Sequence, residues 1–250
     1  MIVLKTRREL DLMREACRIS ANALREAGKA VEPGVSTKEI DDVVRNYIRK
    51  QGASPSFLGY GGFPASACIS VNNVVIHGIP SKKQILKSGD IVSVDVGAFI
   101  GGFHGDNAYT YACGDISKEA RALLDATKES LYEGIKQAKA GNRVGDIGNA
   151  VQSYAEARSY SVVRDFVGHG VGAKLHEDPS VPNYGTPGRG VRLMPGMTIA
   201  IEPMITAGGY AVKVLDDDWT TVTADGSLAA HFEHTIAITP DGPVIMTIPD

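Results

Sequence analysis

Apolar residues return at helical spacing in two stretches near the start of the chain. Thr6-Arg7-Arg8-Glu9 reads as a capping box, and Leu12, Ala16, Ile19 and Ala23 then recur on one face until Gly28. Ser36-Thr37-Lys38-Glu39 opens a second helix in the same way, with Ile40, Val43, Val44, Tyr47 and Ile48 on one face and Gly52 beyond its end. A Gly/Pro/Ser-rich stretch over residues 54–66 follows. Short apolar runs at 67–71, 74–77, 91–99 and 107–111 then predict strands. Ser117 begins a third helix expected to run to about Ala140.

The pattern then starts again. Gly34 and Ile40 recur as Gly141 and Ile147, and Gly89 and Asp95 recur as Gly196 and Glu202, all displaced by 107 residues. One offset held through a helical segment and a strand favours duplication over chance. The expectation is a single domain over residues 1–250, α+β, with two pseudo-equivalent halves (about 6–115 and 116–247) sharing a central antiparallel sheet.

Composition narrows the class. With 26 Lys+Arg against 29 Asp+Glu the net charge is −3, which argues against binding DNA or RNA through phosphates. A hydrophobic content of 43% excludes disorder. The most apolar stretches are short and carry Asp95 or Glu202, so no membrane span is expected. Arg7, Arg8 and Glu9 stand where a signal peptide needs its apolar core. Cys17, Cys68 and Cys113 are far apart, without a CxxC pair. That suits a reducing, cytoplasmic setting and neither a disulfide framework nor a thiolate zinc site.

Carboxylates inside apolar strands are the main chemical signal. Asp95 sits in Ile91-Val92-Ser93-Val94-Asp95-Val96, and Asp106 follows a Gly101-Gly102 turn, so a hairpin would put both on adjacent strands and, in a suitable register, on one face. Glu202 in Thr198-Ile199-Ala200-Ile201-Glu202-Pro203 and Glu233 in the 232–238 run repeat the arrangement. Buried carboxylates side by side repel unless a cation or proton lies between them, and four call for about two divalent cations. His169, flanked by glycines in Gly168-His169-Gly170-Val171-Gly172, supplies a nitrogen ligand. Taken singly, each has a structural explanation; jointly they do not. His77 and His176 are further candidates, whereas His104, His231 and His234 read as structural or supporting. Asp216-Asp217-Asp218 reads as a solvated hairpin tip, and the glycines around His169 lack the Lys-Ser/Thr pair of a phosphate loop.

These residues fall into motifs: His77-Gly78-Ile79-Pro80, Asp95-Val96-Gly97, Phe103-His104-Gly105-Asp106, Gly168-His169-Gly170-Val171-Gly172, His176-Glu177, Ile201-Glu202-Pro203 and Phe232-Glu233-His234-Thr235. In that order and spacing the chain resembles the type I methionine aminopeptidases from about Thr6 to Thr247. The resemblance implies the pita-bread fold, with helices on the outer face of the sheet, and a peptidase that removes the initiator methionine when the second residue is small. It implies metal ligation by Asp95, Asp106, His169, Glu202 and Glu233, with Asp106 and Glu233 bridging two ions. His77 and His176 would contact substrate and the tetrahedral centre, and Glu202 would shuttle the proton. Tyr60, Phe63, Cys68 and Trp219 would form the methionine pocket. Phe57, Phe63 and Leu175 depart from residues common in bacterial members but stay apolar. Mostly oxygen ligands with one imidazole favour Co, Mn, Fe or Zn over copper. The partners implied are the N-terminal methionine of nascent chains and a transient visit to the ribosome, for a cytoplasmic monomer. An X-Pro peptidase on the same fold, a dinuclear phosphoesterase and a metal-free binding module are the competing readings.

Overall fold

The computed structural model describes residues 1–250. Four helices, α1 (Arg7–Lys29), α2 (Thr37–Lys50), α3 (Lys118–Gln137) and α4 (Val144–Glu156), cover antiparallel strands. Both expected capping boxes form: Thr6 with Glu9 and Ser36 with Glu39 exchange side-chain and backbone hydrogen bonds. The α3 helix stops at Gln137, three residues short of the expected end, because Asn142 Nδ2 donates to Gln137 O at 2.9 Å and closes its last turn. Leu12 was expected on the inward face of α1 but is exposed, and Met13 is buried in its place. From Ala16 to Leu24 this helix is buried nearly all round, so no single face describes it.

The Ile91–Ile100 and Phe103–Ala112 strands form a hairpin through Gly101 and Gly102, at φ +63° and +86°. A two-residue connection of this kind needs positive φ at both positions, which glycine adopts without steric cost. The tight turn fixes the register Ile100↔Phe103, so the second strand begins four residues earlier than its apolar pattern indicates. Val92, Val94, Val96 and Ala98 bury against α1 and α2, with Ile19, Ile40 and Val44. Strand alternation therefore turns Asp95 to the opposite face.

The second half repeats contacts of the first at the helix entrances. Gly34 N donates to Leu86 O at 2.8 Å, and Gly141 N to Leu193 O at 2.9 Å. Isolated bridges join Ser36 to Ile85 and Arg143 to Arg192, again 107 residues apart. A second core, including Leu123, Leu131, Ile147, Val151, Ile199 and Ile236, lies beneath α3 and α4.

The halves meet at the hairpin. Glu233 N donates to Ala108 O at 2.9 Å, Thr235 Oγ1 to Asp106 O at 2.8 Å and Thr110 Oγ1 to His231 O at 2.8 Å. Neither glutamate lies inside a continuous strand, contrary to the sequence pattern. Glu202 falls between Thr198–Ile201 and Met204–Thr206, and Glu233 between Ala229–His231 and His234–Thr239. Ile201 pairs with His234 in one sheet and Met204 with His231 in another, so the chain changes sheets at this corner. Pro203, which has no amide N–H to donate, sits at the break. No helix is long and apolar enough to cross a membrane.

Candidate metal centre

One cavity of about 320 Å³ opens on the sheet face turned away from the helices. Asp95, Asp106, His169, Glu202 and Glu233 line it together with His77, His176, Tyr60, Phe63, Cys68 and Trp219, so every singled-out side chain reaches one space. Phe57 and Leu175 complete its apolar wall.

Local structure places each group. Asp95 faces Ala108 and Asp106 faces Gly97 across the hairpin, which puts the two carboxylates on one face, diagonally adjacent. Asp106 is held from the other half, since its amide donates to Thr235 Oγ1 at 3.2 Å. His169 lies in the Gly168–Gly170 strand, and its Nδ1 is 2.8 Å from Gly170 O. That leaves Nε2 facing Glu202 Oε1 at 3.6 Å and Asp106 Oδ2 at 3.9 Å. The flanking glycines serve the sheet rather than the imidazole: a Cβ at Gly168 would lie 2.4 Å from Ala200 O, and one at Gly170 2.2 Å from Asp178 O.

His77 follows the Val74–Ile76 strand at φ +59°, its ring in T-shaped contact with Phe166 and Trp219 at centre distances of 5.6 and 6.1 Å. His176 stands at the mouth, its Nδ1 2.7 Å from Tyr60 Oη and its ring centre 4.2 Å from that of His169. Burial pushes His77 below the usual histidine range, and burial followed by the His169 ring takes His176 to about 4. Both rings are neutral at pH 7.

The carboxylates divide by environment. Burial, with the neighbouring acids behind it, pushes Asp106 and Glu233 well above the usual range, and burial takes Asp95 to about 7. Burial would raise Glu202 as well, but the facing imidazoles of His231, His169 and His176 outweigh it and hold the group low. His231 Nε2, 3.5 Å from Glu202 Oε2, is a neighbour that the sequence pattern leaves among the structural histidines. Asn183 is another, donating from Nδ2 to Glu202 O at 2.9 Å. Contacts between residues this far apart in the chain leave no local signature. His104 and His234 bond instead to Ser56 and Thr247. The acidic triplet does form a hairpin tip, between Val212–Val214 and Thr221–Thr223. It also serves the cavity, because Asp217 Oδ1 accepts from the amides of Trp219 and Thr220 at 3.0 and 2.7 Å.

The model for metallopeptidase family M24 matches residues 11–240. The chain belongs to this family. Within it, the chain is 55% identical to a methionine aminopeptidase of Clostridium perfringens, over 99% of both chains. It is also 55% identical to methionine aminopeptidase 1 of Bacillus subtilis, again over 99% of each. Among solved structures, a methionine aminopeptidase from Thermotoga maritima superposes with a TM-score of 0.97 at 48% identity, covering 99% of each chain. A prolidase from Pyrococcus horikoshii shares the fold alone, with a TM-score of 0.81 at 23% identity over 65% of its own chain.

The residues present fit the divalent metal that this M24 chain implies. Asp95 Oδ1, Asp106 Oδ1 and Glu233 Oε1 are buried without a hydrogen-bond partner. A ligand atom from each of Asp106, His169 and Glu233 lies within 4.8 Å of the others. Buried acceptors of this kind need a donor or a cation, and an oxygen-rich set with one imidazole suits a divalent ion of intermediate hardness.

Proposed function

We propose that Asp95, Asp106, His169, Glu202 and Glu233 hold two divalent ions drawn from Mn, Fe, Co or Zn. At this centre the chain, a metal-dependent methionine aminopeptidase, removes an N-terminal methionine followed by a small residue. The three unpartnered carboxyl oxygens carry this reading, since nothing else within the protein satisfies them. When bound, such ions would lower the pKa of water towards neutrality and polarise the scissile carbonyl.

The protein's own groups supply the rest. Glu202, held low among three imidazoles, is ionised and ready to take a proton from the attacking water and return it to the leaving amine. His77 and His176 stay neutral and offer ring N–H groups to the developing oxyanion. His176 Nδ1 lies 2.7 Å from Tyr60 Oη, and in the tautomer that accepts from this hydroxyl the ring proton sits on Nε2. Phe57, Phe63 and Leu175 exclude water from the methionine side chain, and Trp219 closes on Phe63 edge-on at 5.1 Å. Burial, and then the Asp95 carboxylate, keep the Cys68 thiol protonated, so its sulfur presents a soft apolar wall.

The same reading takes the chain as one catalytic domain, a cytoplasmic monomer that meets nascent chains near the ribosome. Metal analysis combined with peptide hydrolysis tests the core of it. Purified protein should carry or regain two equivalents of Mn, Fe or Co and cleave Met-Ala-Ser but not Met-Lys-Ser. Full activity in metal-free protein, or cleavage confined to peptides with Pro second, would overturn it.

A further inference from the structure

Behind His176 lies an ion pair that the chemistry above does not use. Lys5 Nζ and Glu177 Oε2 are 2.5 Å apart, with side chains only 3% and 9% exposed. The backbone fixes Lys5 as well: its amide donates to Gly196 O at 2.7 Å, and its ammonium reaches Val3 O at 3.3 Å. Glu177 Oε1 accepts from the Lys174 amide at 3.0 Å. One carboxylate therefore closes the 172–177 turn on itself and ties it to the N-terminal segment. Gly172 makes the room, because a Cβ there would lie 2.5 Å from Lys5 Cε and 2.6 Å from Glu177 Oε1. The turn is also joined to the strand that carries Asp106, through His104 N donating to Gly172 O at 2.8 Å.

A buried ion pair is a weak device for stability. Desolvating two charges offsets much of their attraction, and an uncharged pair of similar size often serves the fold as well. Placement is what this pair supplies. His176 immediately precedes Glu177, and Ala173, Lys174 and His176 itself are exposed. The imidazole is flanked by the Tyr60 hydroxyl and the His169 ring, and its backbone runs between buried Leu175 and Glu177, which pairs with Gly170.

Resting on the reading of His176 as a substrate-contacting residue, we propose that the Lys5–Glu177 pair is a positioning device for His176. It holds the 172–177 turn so that the imidazole faces the cavity. The test uses the metal-loaded, full-length enzyme on Met-Ala-Ser, with Lys5→Met, Glu177→Gln and the double variant. Each single substitution strands one buried charge, so Tm should fall. The double variant holds no lone charge and keeps an acceptor for the Lys174 amide, so its Tm should recover. In all three kcat should fall by at least about tenfold, with KM within about threefold of wild type and metal content unchanged. In a His176→Ala background the double substitution should lower kcat by less than about twofold, because both changes disable the same group. Recovery of kcat together with Tm in the double variant would overturn the proposal. So would a loss that multiplies with that of His176→Ala. A wild-type kcat in His176→Ala alone would instead overturn the reading of the site on which the proposal rests, and the proposal with it.

Discussion

Asn in place of Asp95 keeps the shape of the side chain and removes its charge. It thereby separates what the carboxylate costs the fold from what it contributes to metal binding. In the unfolded chain an Asp titrates near 3.9, whereas burial takes Asp95 to about 7 in the metal-free fold. Between those two pH values the folded state keeps a proton that the unfolded state has released. Unfolding free energy therefore falls as pH rises through this window, and the whole penalty is present above pH 7. A difference of about 3 pH units at 1.36 kcal/mol each gives about 4 kcal/mol. That figure is a ceiling, because Asp95 is partly open to the cavity and its water screens the charge. Chelated Asp95→Asn should be more stable than chelated wild type by up to this amount at pH 8, and the two should converge near pH 4. At roughly 2–4 °C per kcal/mol for a chain of this size, the gap is visible in Tm as well as in urea denaturation. Adding Mn should reverse the order at pH 8 by stabilising the wild type more than the variant, which keeps Asp106, His169 and Glu233 but loses one ligand. A metal-free variant less stable than wild type at pH 8, or a gap that does not change between pH 4 and pH 8, would refute the argument.

Asp106→Asn and Glu233→Gln should each lose metal and turnover while retaining the wild-type circular dichroism spectrum. The bonds that join the halves there run through the backbone of those residues and survive the substitutions. His77→Ala and His176→Ala should lower kcat by about 10²-fold, the usual cost of a lost oxyanion donor, with metal content by elemental analysis unchanged. A missing metal equivalent would place either histidine among the ligands. In a peptide series, norleucine should replace methionine with a loss in kcat/KM of at most about 200-fold, because an apolar pocket discriminates near-isosteres by only ~1–3 kcal/mol. Lys or Arg in the first position should abolish cleavage, since Phe57, Phe63 and Leu175 offer a charge no partner.

Much of the fold was legible because local chemistry and tertiary structure agree. The Thr6 and Ser36 caps, the Gly101-Gly102 turn and the 107-residue offset are each set by a few neighbouring residues, and the structure uses them as local physics requires. The misreadings fall where tertiary contacts override pattern. Leu12 belongs to an apolar spacing but lies on the solvent side, because α1 is enclosed only from Ala16 onward. Residues 103–105 lie outside the apolar run that marks the second strand, yet pairing imposed by the turn makes them strand. Gly105 is there for a distant reason: a Cβ would lie 2.4 Å from Cys17 N.

The candidate site follows the same logic at a larger scale. Acids placed in apolar runs conflict with burial, and that conflict is visible residue by residue without any structure. Convergence is not, since it depends on Glu202 and Glu233 occupying a corner where the chain passes from one sheet to another. Duplication supplies half of that arrangement: Asp95 and Glu202 lie at equivalent positions and so reach the centre from opposite sides. Asp106 and Glu233 do not share the offset, and backbone pairing between Ala108 and Glu233 brings them in. Sheet pairing between the halves also sets His231 beside Glu202, through Thr110 Oγ1 bonding both the amide and the carbonyl of His231. His231 reaches Glu202 because Thr110, 121 positions away, holds its backbone and Met204 pairs with it across the sheet. Sequence spacing therefore reveals which groups conflict with burial, while the register between the halves decides which of them face one another.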